Sequence, residues 1–373
     1  MNHPFHASGG TAVVVGASLS GLMSALALSH IGMNVTVLER SNGKDRGGAA
    51  LPVAEGLLRR LMGRDAVGRT LPSGPQAWAD VHSALRAIVE TDSRIRVRTL
   101  ERVARVDQDE DAAWAVTEGG EVVTGDVVVG ADGHASVVRR HVAPDRPEAM
   151  FAGYLIWLGI VDERELAAAP WPAQLAILEE RDYCLNAYYL PGADGSQAAG
   201  RRRLGFGWYD AGRNDLLRAS GAVVGDVVRR TLRADDLTEA TYRALMDEAE
   251  AIWPDPWREA ILHCLARRTV IGTPVGEYMP PRLSHGRVCL VGDAAHVPSP
   301  MTGKGFDASA WDAQALAGAL EAGRVRGDVG GALRRYESMR LDDARELVSS
   351  GYAFSRSFAR CGSPARRDAS GHR

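Results

Sequence analysis

The sequence predicts an α/β fold, on three features. Residues 12–39 run through a short apolar stretch, a glycine turn, a small-residue helical stretch and a second apolar run, which is the order of a βαβ unit. Two later apolar runs each open into a loop carrying an aspartate. Between them, aromatic-rich strand-like segments alternate with Pro/Gly loops. The expected architecture is a Rossmann-like dinucleotide-binding domain, an interleaved second domain on a mostly antiparallel sheet, and a C-terminal helix.

In order along the chain, Ala12 to Val15 is a β-branched run that ends at Gly16, and Leu19 to His30 is a helix stopped by Gly32. Met33 to Leu38 is the second strand, closing on Glu39. Val127 to Val129 leads into Gly130-Ala131-Asp132-Gly133, and Val288 to Val291 into Gly292-Asp293-Ala294-Ala295. The inserted strands are Ala152–Ile160, Tyr183–Leu190 and Arg203–Tyr209. The helix after Gly305 buries Phe306, Ala310, Ala313, Ala317 and Leu320 at helical spacing. A last helix, Gly331 to Phe358, carries Leu347, Gly351, Phe354 and Phe358 on one face. These elements divide the chain into a discontinuous nucleotide-binding domain (1–70, 96–148 and 268–330), a substrate domain (71–95 and 149–267), the helix (331–360) and a tail expected to be disordered (361–373).

A net charge of −3, from 44 basic and 47 acidic residues, offers no broad field for nucleic acid or an anionic membrane. The four cysteines lie far apart without a C-x-x-C pair or histidines at metal-ligand spacing, so they read as free thiols and no metal is expected. The N-terminus shows no secretory pattern and no run reaches the roughly 20 apolar residues of a membrane span. A cytoplasmic monomer or homodimer acting on a small molecule is expected.

The fingerprint is Val15-Gly16-Ala17-Ser18-Leu19-Ser20-Gly21, a G-x-G-x-x-G motif with serine at the middle position. Gly16 permits the tight turn, Ser18 is small enough for close approach to a pyrophosphate, and Gly21 lets helix and strand pack. Glu39, followed by Arg40, ends the second strand where a carboxylate meets ribose hydroxyls. These residues would serve NAD nearly as well as FAD.

Together with the fingerprint, Asp132 in VVVGADGHASVVRR and Asp293 in RVCLVGDAAHVPSPMTGKGFDASAWDAQALAGAL resemble the three nucleotide motifs of the single-component FAD-dependent aromatic hydroxylases with the para-hydroxybenzoate hydroxylase fold. The match spans most of the chain. The family's Asp-Gly is matched by Asp132-Gly133, and its ribityl-binding aspartate by Asp293. Gly303-Lys304-Gly305-Phe306 precedes a helix, so its amides can point at the flavin pyrimidine edge and stabilise the anion formed on reduction. By resemblance Pro300 borders flavin and substrate, and Arg46 in RGGAAL lies near FAD or the nicotinamide donor. Asp307 stands where the family often has asparagine. The family's arginine ahead of a V/L-H-x-x-L segment is absent, replaced by Trp78-Ala79-Asp80-Val81-His82. That tryptophan, FAGYLIWLGIV at 151–161 and LGFGWYD at 204–210 resemble the 2,6-dihydroxypyridine 3-monooxygenase branch.

The resemblance implies hydroxylation of a small electron-rich ring, of phenol or hydroxypyridine type, through a flavin C4a-hydroperoxide formed with O2. NADH or NADPH would dock transiently, since the chain has one fingerprint. Candidate substrate contacts are Tyr154, Trp157, Tyr188, Tyr189 and Trp208, although strand alternation sends half of such aromatics to the core. His296 in GDAAH is read as a packing histidine in preference to a base. Baeyer–Villiger oxygenation and a non-catalytic flavin-binding role stay open as alternatives, whereas the halogenase W-x-W-x-I-P signature is missing.

Overall fold

The computed structural model describes residues 9–42, 50–167, 176–180, 183–324 and 327–361. Arg46 and the expected tail beyond Cys361 lie outside the described residues. The elements that build the site are, in chain order, β1 (Thr11–Val15), α1 (Leu19–His30), β2 (Asn34–Glu39), α2 (Trp78–Glu90), β3 (Ile95–Thr99), β4 (Val127–Gly130), β5 (Met150–Asp162), β6 (Tyr183–Leu190), β7 (Arg203–Asp210), α3 (Glu239–Ile252), α4 (Trp257–Ala266), β8 (Ile271–Glu277), β9 (Val288–Leu290), α5 (Gly305–Arg324) and α6 (Val329–Cys361).

One sheet runs β9–β4–β1–β2–β3, all parallel, with Ser284–His285 added antiparallel at the β9 edge. Strands β1, β4 and β9 are continuous apolar runs because both faces are covered, whereas β3 at the far edge, IRVRT, alternates with arginines and has no buried residue. Helix α1 is buried along nearly its whole length, from Leu19 to Ser29, which explains its alanines and serines: large side chains all round would not fit between sheet, α2 and α5.

The second sheet is antiparallel and centres on the 13-residue β5. It runs Ala176–Glu180, β6, β7, β5, and β5 also pairs with β8 and Val227–Val228. One face carries Leu155, Trp157, Phe206 and Trp208 into a core with Tyr242 and Leu245 of α3 and Ile261 of α4. The other carries Tyr154, Ile156, Cys184 and Tyr209 against Met301 and against Phe354 and Phe358 of α6.

Two segments sit differently from the expected division. Val81, Leu85 and Val89 of α2 pack into the core of the parallel sheet, so this helix, expected with the substrate domain, covers α1 instead. Strand β8, expected with the nucleotide-binding domain, hydrogen-bonds to β5 in the antiparallel sheet. Amphipathic patterns mark which side of an element is buried and leave its partner unspecified. Among the described residues no helix is long and apolar enough to cross a membrane, no cluster of metal-binding side chains occurs, and Cys184, Cys264 and Cys289 are free and buried.

Candidate active site

Strands β9, β4 and β1 are parallel neighbours, so the loops at their C-terminal ends lie side by side, the position where open α/β sheets bind ligands. The glycines explain how closely these loops meet. A Cβ on Gly16, which has φ +103°, would lie 2.5 Å from the Ala131 carbonyl oxygen, and one on Gly21 would lie 1.9 Å from the Gly16 carbonyl oxygen. At Gly292, with φ +57°, a Cβ would meet Ser20 at 2.6 Å. First, second and third motifs are thus one contiguous surface.

At that surface Ser18 starts α1 in extended backbone without a side-chain hydrogen bond, leaving the first-turn amides uncapped by its hydroxyl. Glu39 is buried, and its Oε2 accepts from the Ala17 amide at 2.8 Å while Oε1 accepts from the Ser41 amide and hydroxyl at 2.9 and 2.6 Å. The carboxylate therefore stands directly beside the fingerprint turn. Arg40, one residue on, is exposed. On the far side, His82 places Nε2 2.9 Å from the Ala17 carbonyl and stacks on Trp78 at 4.7 Å, so the segment that replaces the family arginine still abuts the turn.

Asp132 turns inward. Its Oδ1 accepts from Ser136 at 2.5 Å and Oδ2 from the Val137 amide at 2.7 Å, which closes its own loop; burial pushes this carboxyl above the usual range against those bonds. Gly133 has φ +82° in open space. Asp293 is exposed and its carboxylate bonds to no described side chain or amide. Pro300 and Lys304 are exposed too, Gly303 is left-handed at φ +63° with nothing near a Cβ position, and Phe306 is half-buried against the core. Asp307 pairs with Arg60 at 2.9 Å and accepts from the Trp311 indole at 3.1 Å, so its charge is engaged at the surface.

Sequence reasoning missed two buried networks here. Arg139 is fully buried and donates to the carbonyls of Pro147 (2.6 Å), Asp293 and Ala294 (3.1 Å each) and His134, with its guanidinium 4.1 Å over the Tyr278 ring. It fastens the second-motif loop to the third. Asp312 on α5 accepts from the Gly292 amide at 2.9 Å, faces His296 Nε2 at 2.7 Å, and accepts from Arg340 on α6 at 2.9 Å. Burial opposes charge on His296, but the adjacent Asp312 holds its pKa above the ordinary value. His296 is fully buried, and through Asp312 it joins the third-motif loop to α5 and α6.

Of the expected substrate residues, Trp157 and Trp208 are fully buried on the α3–α4 face, and Tyr189 packs there under Arg202, whose guanidinium lies 3.9 Å over its ring. Strand alternation turns these three away from Met301 and the flavin-side loops. Tyr154 is on the near face but closed in: its hydroxyl bonds Ser299 at 3.0 Å and Ser355 at 3.1 Å, and Ser355 donates to Glu277 at 2.6 Å. Tyr188 shares the face of Asn186 and Cys184, is half-buried, and burial pushes its hydroxyl up to about 12.

A family profile described as an FAD binding domain matches residues 227–350. The 2,6-dihydroxypyridine 3-monooxygenase of Paenarthrobacter nicotinovorans is 28% identical over 364 residues, covering 90% of this chain and 88% of its own. An FAD-dependent urate hydroxylase of Klebsiella pneumoniae is 28% identical over 372 residues, covering 90% and 87%. Over about nine-tenths of its length the chain is similar to FAD-dependent aromatic hydroxylases. The fold agrees: the solved 2,6-dihydroxypyridine-3-hydroxylase from Arthrobacter nicotinovorans superimposes with a TM-score of 0.75 at 24% identity, over 95% of this chain and 94% of that one. Klebsiella pneumoniae HpxO, solved with FAD and uric acid, gives 0.68 at 21% identity, over 96% and 90%. The uncapped helix start, the two closely packed glycines of the fingerprint and the adjoining Glu39 carboxylate are a donor and acceptor set that fits FAD.

Proposed function

We propose that this flavoprotein uses NADH or NADPH and O2 to hydroxylate a small electron-rich aromatic or heteroaromatic ring of phenol or hydroxypyridine type. The observation that carries the reading is the contiguity of three nucleotide loops beside an antiparallel sheet whose near face reaches Met301, within the loop ahead of α5. The relatives support the substrate class: their names give 2,6-dihydroxypyridine, urate and 3-amino-4-hydroxybenzoate as rings acted on.

In this reading the first-turn amides of α1, with Ser18, bind the FAD pyrophosphate, and Glu39 accepts from ribose hydroxyls. Asp293 reaches the ribityl chain, and the Gly303–Phe306 amides face the pyrimidine edge, where negative charge develops. Asp132 and Arg139 order the loops that carry these groups. When bound, the flavin supplies the hydride acceptance and oxygen transfer that side chains cannot perform. The chain's own task is to hold the ring against the near face of β5–β7 and keep water out. The parallel sheet and its covering helices form the FAD-binding domain, with α2 included and β8 assigned to the substrate domain.

The test is a visible spectrum of the purified protein followed by NADH and NADPH consumption over a panel of hydroxylated pyridines, purines and phenols. A bound flavin spectrum, and substrate-stimulated consumption with a product 16 mass units heavier, is the expected result. Flavin present with no panel compound accelerating its reduction by either donor overturns the hydroxylase reading.

A further inference from the structure

Asn186 stands in the middle of β6 on the face that looks toward Met301. Its Nδ2 is committed, approaching Tyr209 Oη at 3.3 Å and Met301 Sδ at 3.9 Å. A thioether accepts and never donates, so the contact with Met301 agrees with Nδ2 on this side of the amide and Oδ1 at the other end. That Oδ1 is buried and has no hydrogen-bond partner. Buried carbonyl oxygens are ordinarily paired, because an unpaired one has lost its water for nothing.

No described group donates to Oδ1. Directly across the ladder from Asn186 is Gly207, and across from Gly207 is Leu158. A side chain at 207 would stand on the same face as the amide, its Cβ 3.3 Å from Ile156 and 3.5 Å from Leu158 with no Asn186 atom within 4 Å. One step along the strands, Gly205 lies under the Tyr188 ring, which occupies the place its side chain would take. The face between Tyr188 and Met301 thus carries a single amide, beside the Tyr209 hydroxyl, among largely apolar side chains.

We infer that Asn186 is the substrate-orienting residue of this site, its Oδ1 accepting the proton of a ring hydroxyl or ring N–H on the aromatic substrate. This rests on the hydroxylase reading above and adds a residue to it. Such a bond pairs the orphaned oxygen and draws the substituent's proton away from the ring, which raises electron density at the ring carbons that take up oxygen. An O-methylated ring has no proton to offer and leaves Oδ1 unpaired, so the site discriminates by the hydrogen-bond donor as much as by shape.

The experiment titrates the FAD-loaded protein with 2,6-dihydroxypyridine and with 2,6-dimethoxypyridine, following the perturbation of the flavin spectrum. Wild type should bind the hydroxylated probe at least about tenfold more tightly, the size of one buried hydrogen bond to a ligand. Asn186→Leu, similar in shape and without an acceptor, should lose that preference, while Asn186→Asp, which keeps an acceptor, should retain it. Gly207→Ala leaves Asn186 untouched and adds a methyl to the same face, across the ladder from it, where a ring bonded to Oδ1 would meet it; it should weaken the hydroxylated probe by about tenfold, and it tests the site even where Asn186→Leu fails to fold. An unchanged preference in folded, flavin-loaded Asn186→Leu, or wild-type affinity in Gly207→Ala, overturns the role of Asn186 and leaves the hydroxylase reading standing. Wild type that binds neither this pair nor 3-amino-4-hydroxybenzoate overturns both.

Discussion

Replacing Gly21 with alanine tests whether the fingerprint works through backbone contact. Gly21 lies inside α1, where alanine is the preferred residue, so helix propensity alone predicts a gain of about 1 kcal/mol. The packing predicts the opposite. The new methyl would sit 1.9 Å from the Gly16 carbonyl oxygen and 3.0 Å from its carbon, where ordinary contact begins near 3.4 Å. About 1.5 Å has to be recovered, and the obstacle is backbone, so α1 moves away from the β1 turn. Overpacking costs about 1–3 kcal/mol, and a backbone obstacle places this case at the upper end. Moving the helix start by an ångström also pulls its amides from the pyrophosphate, and losing one charge-assisted bond of about 1.5–3 kcal/mol weakens FAD about 10- to 100-fold. The assay is FAD titration of the apoprotein with thermal unfolding alongside, and Gly133→Ala is the control. There φ is +82° with no atom within 4 Å, so only left-handed strain of about 1–2 kcal/mol is expected and flavin affinity should hold. Wild-type flavin affinity and stability in Gly21→Ala would refute the reasoning, as would an equal loss of flavin in Gly133→Ala.

Three further outcomes follow from the buried groups. Arg139→Met strands carbonyls of two motif loops and should destabilise the protein by about 3–5 kcal/mol, read by chemical denaturation of holoprotein; a loss under 1 kcal/mol contradicts the fastening role. Glu39→Gln keeps shape but weakens its bonds to the Ala17 and Ser41 amides and to ribose, and FAD titration of apoprotein should show at least about tenfold weaker binding. For pH, His296 titrates above its ordinary 6.5 when folded, so its contribution is complete below pH 6.5 and is lost as pH rises through the folded value. Asp312 titrates below its ordinary 3.8, so its contribution is present above that pH and is lost as pH falls through the folded value. A melting profile from pH 3 to 9 should therefore show an alkaline decline that His296→Gln removes; identical profiles count against the network.

Strands β1, β4 and β9 were legible because they are unbroken apolar runs that end at glycines, and both signals are local, whereas β3, IRVRT, was passed over because its arginines break the run. The same holds for the near-exact extents of α1 and β6. What stayed hidden depends on partners distant in sequence. Arg139 reads as one of two arginines in VVRRH, and nothing nearby marks it as the one that turns inward to the Asp293 and Ala294 carbonyls. Asp312 and Arg340 sit on separate helices, each spaced like a surface charge. Alternation showed that half of the sheet's aromatics would face inward without saying which half. The tryptophans went to the side that α3 and α4 cover, two amphipathic helices that the motif reading passed over. The three-stranded sheet of Val103–Gln108, Ala113–Thr117 and Val122–Gly125 was also passed over, since its strands are only 6, 5 and 4 residues long and carry no motif.

Helix α6 runs 33 residues, about 50 Å. Its first half is tied to the parallel sheet: Tyr336 donates to the Leu290 carbonyl at 2.7 Å, and Glu337 accepts from the amides of Leu283 and Ser284 at 2.6 and 2.7 Å. Its second half grips the antiparallel sheet, with Ala359 2.8 Å from a Cβ position on Gly153 and Ser355 bonded to Glu277. A splint glued along both sides of a joint stops it from folding. Opening the cleft by swinging one sheet from the other would have to tear one set of these bonds or bend a helix without a proline. The frame around the site is therefore held at one spacing by α6, and under the proposed function the passage of ring, donor and product would fall to the loops.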